Sequence, residues 1–216
     1  GATGSGKSTL INLIPRFYDA TDGDVLVDGV NVKEYDIESL NNKLGYVPQK
    51  AVMFSGTVSS NVAYGNNGRD NYSADDIKQA IKIAQGTEFV EKMENQYEGA
   101  IAQGGSNISG GQKQRLAIAR AVCRKPEIYI FDDSFSALDY KTDRVLRSEL
   151  KKETAGTTTL IVAQRIGTIK DADCIIVLDK GNMVGKGTHS ELMKNCEVYQ
   201  QIALSQLSKE ELGNDE

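Results

Sequence analysis

The chain has 216 residues, enough for one domain or for a domain carrying an inserted subdomain. Hydrophobic residues make up 39% and charged residues 25%, so a core can form and a disordered tail is excluded. Lys and Arg number 25 against 30 Asp and Glu, and the net charge of −5 argues against a general nucleic-acid binder, so no nucleic-acid partner is expected.

The chain opens on Gly1 and reads as a piece of a longer polypeptide. GATGSGKSTLINLIPRFY is a glycine-rich loop leading into apolar residues at helical spacing, Leu10, Ile11, Leu13, Ile14 and Phe17. DVLVDG, bracketed by Asp22-Gly23 and Asp28-Gly29, alternates like a short hairpin strand. LGYVP is a second short strand ending at Pro48. From about Thr57 to Asn95 the pattern is helical, with DDIKQAIKIA and TEFVEKM its clearest pieces and Ser73 followed by Asp76 as a start signal. Gly104, Gly105, Gly110 and Gly111 predict a flexible loop before the helix QKQRLAIARAVC.

Beyond Pro126 strands alternate with helices. EIYIFDD is a continuous apolar run, as expected of a buried parallel strand. A charged helix over about Thr142 to Lys152 comes next, then the strands TTTLIVAQ and ADCIIVLD and the short edge strand NMVGKG. THSELMKN and the segment to Leu207 read as helical, and KEELGNDE as a solvated acidic tail. The alternation implies an α/β fold with a mainly parallel sheet, interrupted by an inserted helical subdomain at about residues 57–107.

IYIF and CIIVL are strand length, far short of the roughly 20 apolar residues of a membrane helix, and no segment reads as a signal peptide. Cys123, Cys174 and Cys196 are far apart and odd in number, which fits a reducing compartment. A lone histidine, His189, and the lack of a Cys-x-x-Cys pair exclude a multi-histidine or paired-cysteine metal site.

Gly1 to Ser8 matches G-x-x-x-x-G-K-[ST]. Phosphate oxygens need several donors close together, and glycine lets the backbone approach. The amides of Gly4, Ser5, Gly6 and Lys7 are expected to form an anion nest at a helix start. The Lys7 ammonium is suited to the β- and γ-phosphates of a nucleotide, and the Ser8 hydroxyl to Mg²⁺. Asp132 and Asp133 end the apolar strand, where open α/β sheets bind ligands. A carboxylate there can hold Mg²⁺ through water.

Three further segments carry a family resemblance. ISGGQKQR, residues 108–115, resembles the signature of ABC transporter ATPases; FDDSFSALD, residues 131–139, resembles their Walker B segment and D-loop; YVPQ, ending at Gln49, resembles their Q-loop. RFYDATDGDVLVDG, FSGTVSSNVAYG and IIVLDKGNMVGKGTHSEL resemble the exporter branch. The resemblance spans about Gly1 to Leu192. It implies a P-loop NTPase, RecA-like core with a small antiparallel part and the helical subdomain, over residues 1–195, and a C-terminal helix and acidic tail over 196–216. It implies ATP with Mg²⁺, held by Thr3, Gly4, Ser5, Gly6, Lys7, Ser8 and Thr9, with Ser8, Gln49 and Asp132 toward the metal and Gln49, Asp133 and Gln164 at the reacting phosphate. Two such domains pair head to tail. Ser109, Gly110, Gly111 and Gln112 then face an ATP held by the second domain, and Asp139 lies at the dimer interface. The resemblance further implies a membrane domain upstream in the same polypeptide, with the ATP-binding domain at the cytoplasmic face of the membrane.

The sequence departs from that pattern at informative positions. Asp133 stands where the family has Glu, and Ala163-Gln164-Arg165 stands where it has A-H-R. Asp is one methylene shorter than Glu, and a misplacement of about 1 Å can cost on the order of 10²-fold in rate. Glutamine can hydrogen-bond a γ-phosphate but carries neither a proton nor a positive charge. Lys7, Ser8, Gln49 and Asp132 remain, so ATP binding is expected to survive while hydrolysis slows. The signature is near standard, with Ile108 for leucine, so the partner's site is expected to be served well. That combination resembles the degenerate-site half of a heterodimeric exporter. Where the family reads T-E-V-G-E-R-G, residues 99–105 read GAIAQGG, without the two acidic positions. The adenine-stacking aromatic and the strand feeding the phosphate loop lie before Gly1 in the family, so the isolated piece is expected to be poorly stable. His189 matches a structural G-T-H. The competing readings are a soluble ABC-type ATPase of DNA repair or translation, disfavoured by the exporter-like segments, and a nucleotide-gated interaction module without catalysis.

Overall fold

The structure is a computed structural model and describes residues 4–65 and 72–213. Two compact units emerge, residues 19–160 and the pair of segments 1–18 and 161–216.

In the larger unit the strand Leu44–Val47 runs parallel to Ile128–Asp132, with Leu44 opposite Ile128 and Val47 opposite Phe131. Ile128–Asp132 is the middle strand of three, and Thr158–Val162 is its other neighbour. Its residues Tyr129 to Asp132 are all buried, which is why IYIF shows no alternation. The strands Leu26–Val27 and Val30–Asn31 make an antiparallel hairpin. Asp28 and Gly29 both have positive φ, 51° and 76°, the backbone a tight two-residue turn demands.

The helices Val58–Val62, Ala74–Ile83 and Thr87–Glu91 form the expected helical stretch. Ala74–Ile83 starts where Ser73 and Asp76 cap each other reciprocally, as the sequence signals. With Gly110–Cys123 these helices share one core, which includes Val58, Ile81, Leu116, Ile118, Phe131 and Leu146. Gly110 and Gly111 are not loop: they form the first turn of Gly110–Cys123, because Ser109 caps it. The charged helix likewise starts earlier than its charge pattern suggests, as Tyr140–Glu153 behind the cap of Asp139.

In the smaller unit the helix Lys7–Ile11 follows the phosphate loop. Ile175–Asp179 does not read on as a further parallel strand: it pairs antiparallel with Asn182–Gly187 through a turn with Lys180 at φ 48° and Gly181 at φ 81°. That hairpin packs with the helices His189–Asn195 and Glu197–Gly213 around Ile175, Val177, Leu192, Cys196 and Tyr199. His189, expected to be a surface or structural residue, has its Nδ1 2.6 Å from the Tyr199 hydroxyl. Residues 209–213, expected to be solvated tail, continue the last helix, since Lys, Glu and Leu are good helix formers. All three cysteines are free thiols, and only Cys174 is exposed.

Candidate ATP site and signature segment

In the smaller unit Gly4 has φ 79° and Gly6 φ 95°, so the loop takes left-handed turns that side chains resist. Gly6 is the N-cap of Lys7–Ile11, with no side-chain cap and no acidic residue in the first turn. Helix starts leave amides without intrahelical acceptors. The Ser5 hydroxyl is buried without a hydrogen-bond partner, an orphan polar group aimed at no protein acceptor. The Gly181 amide donates to the Ser5 carbonyl at 3.1 Å and anchors the loop. Lys7 is half-buried, and Ser8 and Thr9 are exposed. Thr3 lies outside the described residues. Gln164 is exposed, and its carbonyl accepts a hydrogen bond from the Gln206 side chain.

In the larger unit Asp132 closes the strand with its side chain buried, and the Tyr46 hydroxyl donates to its carboxylate at 3.5 Å. Asp133 then turns the chain through φ 49°. Gln49 Nε2 donates to Asp133 Oδ2 at 3.2 Å, joining two of the expected site residues. The turn is pinned from below: the buried Ser134 hydroxyl donates to the Val47 carbonyl at 2.7 Å, and the Ser136 hydroxyl to the Asp133 carbonyl at 3.2 Å.

Ser109 Oγ accepts from the Gln112 amide at 3.1 Å, and Gln112 Oε1 accepts from the Ser109 amide at 3.0 Å. The Ser109 hydroxyl thus keeps its proton to donate elsewhere. A Cβ on Gly111 would meet the Ala137 carbonyl at 3.1 Å, so close backbone approach explains that glycine. A Cβ on Gly110 would meet only the Ala137 methyl at 3.9 Å. Nothing inside the chain requires glycine at 110. Asp139 caps Tyr140–Glu153, accepting from the Thr142 amide at 2.9 Å and its hydroxyl at 2.8 Å. These bonds hold the Asp139 carboxyl below its usual value.

Sequence reasoning did not single out two residues that organise this region. Gln114, 4% exposed, accepts from the Ala137 amide at 3.0 Å and donates to the Gln49 carbonyl at 3.3 Å, tying the Q-loop, signature helix and D-loop together. Its signal is a polar residue beside Leu116, Ala117 and Ile118 on a buried face. Arg120 donates to the Asn61 carbonyl at 2.8 Å and the Val52 carbonyl at 2.9 Å, and burial pushes its guanidinium down to about 10.

A family model described as ABC transporter matches residues 1–136. The chain belongs to the ABC transporter family. It is 47% identical over 95% of its length to an uncharacterized ABC transporter ATP-binding protein of Mycobacterium tuberculosis, covering 35% of that protein. Against an ATP-dependent lipid A-core flippase of Vibrio vulnificus the figures are 41%, 94% and 34%. Among solved structures it resembles a bacterial Atm1-family ABC exporter with ATP bound, at TM-score 0.91 and 37% identity, over 96% of this chain and 36% of that one. The chain therefore spans about a third of the length of these relatives and corresponds to the ATP-binding part of an ABC exporter.

The ABC assignment accounts for the orphan Ser5 hydroxyl and the uncapped helix start, since ATP phosphates supply acceptors for both. It also accounts for the sparse metal donors. Among the described residues no group of three or more His, Cys, Asp or Glu could hold a metal. Mg²⁺ usually takes one or two protein groups and completes its shell with phosphates and water. The Ser8 hydroxyl in the smaller unit and the Asp132 carboxylate in the larger are each a donor of that kind. No helix among the described residues is long and apolar enough to cross a membrane.

Proposed function

We propose that this chain powers export as one half of an asymmetric pair, binding ATP tightly in its own site and hydrolysing it slowly. Residues 1–195 act as the ATP-binding domain, with the helical subdomain over 57–107 inserted, and 196–216 as an appended helix and tail. Gly4 to Thr9, with Thr3, bind the phosphates, and the Lys7 ammonium neutralises them. Ser8, Gln49 and Asp132 would hold Mg²⁺, which would supply charge neutralisation at the phosphates. Gln49 orients the attacking water and Asp133 accepts its proton. Gln164 donates to the γ-phosphate without the charge a histidinium offers. Ser109, Gly110, Gly111 and Gln112 complete the ATP site of a second, non-identical domain, with Asp139 at the interface. A transmembrane domain upstream in the same polypeptide carries the cargo, and the ATP-binding domain works at the cytoplasmic face of the membrane.

One observation carries this reading. The signature end is intact in residues and capping, with Gly110 bare toward the outside, whereas Asp133 and Gln164 replace the groups that carry the proton and the charge. Binding then drives the conformational change more than turnover does. The test is Mg-ATP binding and turnover by the full-length subunit, alone and as Asp133→Glu with Gln164→His. Tight binding with slow turnover, raised by the double change, supports the reading. Rapid turnover by the unmodified subunit overturns it.

A further inference from the structure

The loop bearing Gln164 is held by a side chain far along the chain. The short helix Ile166–Ile169 has Arg165 as N-cap and no side-chain cap from its own segment. The Ile166 amide instead donates to Gln206 Oε1 at 2.7 Å, and Gln206 Nε2 donates to the Gln164 carbonyl. One carboxamide thus satisfies a donor and an acceptor two residues apart, as a neighbouring strand would. Only one orientation of the amide does both. Gln206 is directed there by its helix: Tyr199, Ala203 and Gln206 follow the i, i+4, i+7 spacing of one face, and Tyr199 and Ala203 are buried, 1% and 3% exposed. The helix bearing the clamp is therefore seated on the unit's core and is not free to drift.

We propose that Gln206 is a positioning residue that sets where Gln164 presents its side chain to the γ-phosphate, so that the C-terminal helix governs how this site tells ATP from ADP. The inference rests on the reading of Gln164 given above. The γ-phosphate is the only group separating the two nucleotides, and a hydrogen bond to a charged group is worth enough to be read as a ratio of affinities. Fixing the Gln164 and Ile166 backbone fixes the origin of the Gln164 side chain, since a carbonyl and an amide held two residues apart leave the intervening peptide little freedom. The phosphate-loop amides and Ser8 serve groups that both nucleotides carry, and the Lys7 contribution is the same in every Gln206 variant, so the clamp should act on the ratio of ADP to ATP dissociation constants and little on ADP binding itself.

The experiment is nucleotide binding to the full-length subunit, with amide hydrogen exchange read at Ile166. Gln206→Ala should speed Ile166 exchange and lower the ADP-to-ATP ratio about five- to tenfold, with ADP affinity held within about twofold. Gln206→Glu keeps an acceptor for Ile166 and loses the donor to Gln164, so it should restore Ile166 protection and only part of the ratio. In a Gln164→Ala background Gln206→Ala should change the ratio no further. An unchanged ratio in Gln206→Ala, or a loss that adds in full to that of Gln164→Ala, overturns the clamp. A Gln164→Ala variant that keeps the full ratio instead overturns the role of Gln164, which the Ile166 exchange does not touch.

Discussion

Gln49 donates to the Asp133 carboxylate at 3.2 Å across 84 residues of sequence, so the Q-loop side chain rests on the group proposed as the base. The shorter carboxylate is thereby held by its own neighbour. Asp133 sits at φ 49°, a left-handed conformation that Asp tolerates better than longer side chains do. A glutamate carboxylate reaches one methylene further, so Asp133→Glu should raise turnover in the full-length subunit, at least tenfold together with Gln164→His. It should also lower stability by up to about 1 kcal/mol, which a thermal melt reads. A faster enzyme with an unchanged melt would mean the turn is not strained.

Gly110 and Gly111 should separate stability from catalysis. Gly111→Ala drives a methyl toward the Ala137 carbonyl, so both the melting temperature and the partner site's turnover should fall. Gly110→Ala has room. It should leave the melt unchanged or raise it, because Ala outranks Gly in a helix by up to about 1 kcal/mol. Turnover in the assembled pair should nevertheless drop at least tenfold, as the methyl blocks backbone approach to the partner's phosphate. Full turnover in Gly110→Ala would remove that segment from the ATP site.

Gln114 should matter more than its lack of charge suggests. Gln114→Ala removes the bonds to Ala137 and Gln49. Ala137 and Gln49 are exposed enough for water to replace it, so the cost should be about 1–2 kcal/mol. Gln114→Glu keeps the Ala137 bond but turns an anion toward the Gln49 carbonyl. It should be worse than Ala at neutral pH and recover in mild acid, measured as the denaturation midpoint.

Much of this was legible because the signals were local. The phosphate loop, the Asp28-Gly29 hairpin and the Ser73 start each rest on a few adjacent residues whose backbone needs are specific. The hairpin at Lys180-Gly181 was not, because lysine gives no turn signal and the apolar run before it resembles a buried parallel strand. The extent of the last helix, to Gly213, was not legible, because the charge run KEEL marks a tail as readily as a helix. The roles of Gln114 and Gln206 were invisible: each joins segments dozens of residues apart, and a glutamine advertises nothing about its partners.

Asp139 offers a way to tell a cap from an interface. Its carboxyl is lowered below 3.8 by the Thr142 amide, then by the Thr142 hydroxyl. A depressed carboxylate contributes stability that is present above the unfolded value and lost as pH falls through the folded one. The first turn of Tyr140–Glu153 should therefore hold at neutral pH and loosen only in acid below 3.8, seen as movement of the Thr142 amide resonance. Asp139→Asn should abolish that acid step, yet keep the helix at neutral pH because Asn caps as well as Asp. With the cap preserved, any loss of ATP-driven pairing in Asp139→Asn reports the missing charge at the interface. Unchanged pairing would leave Asp139 a cap and nothing more.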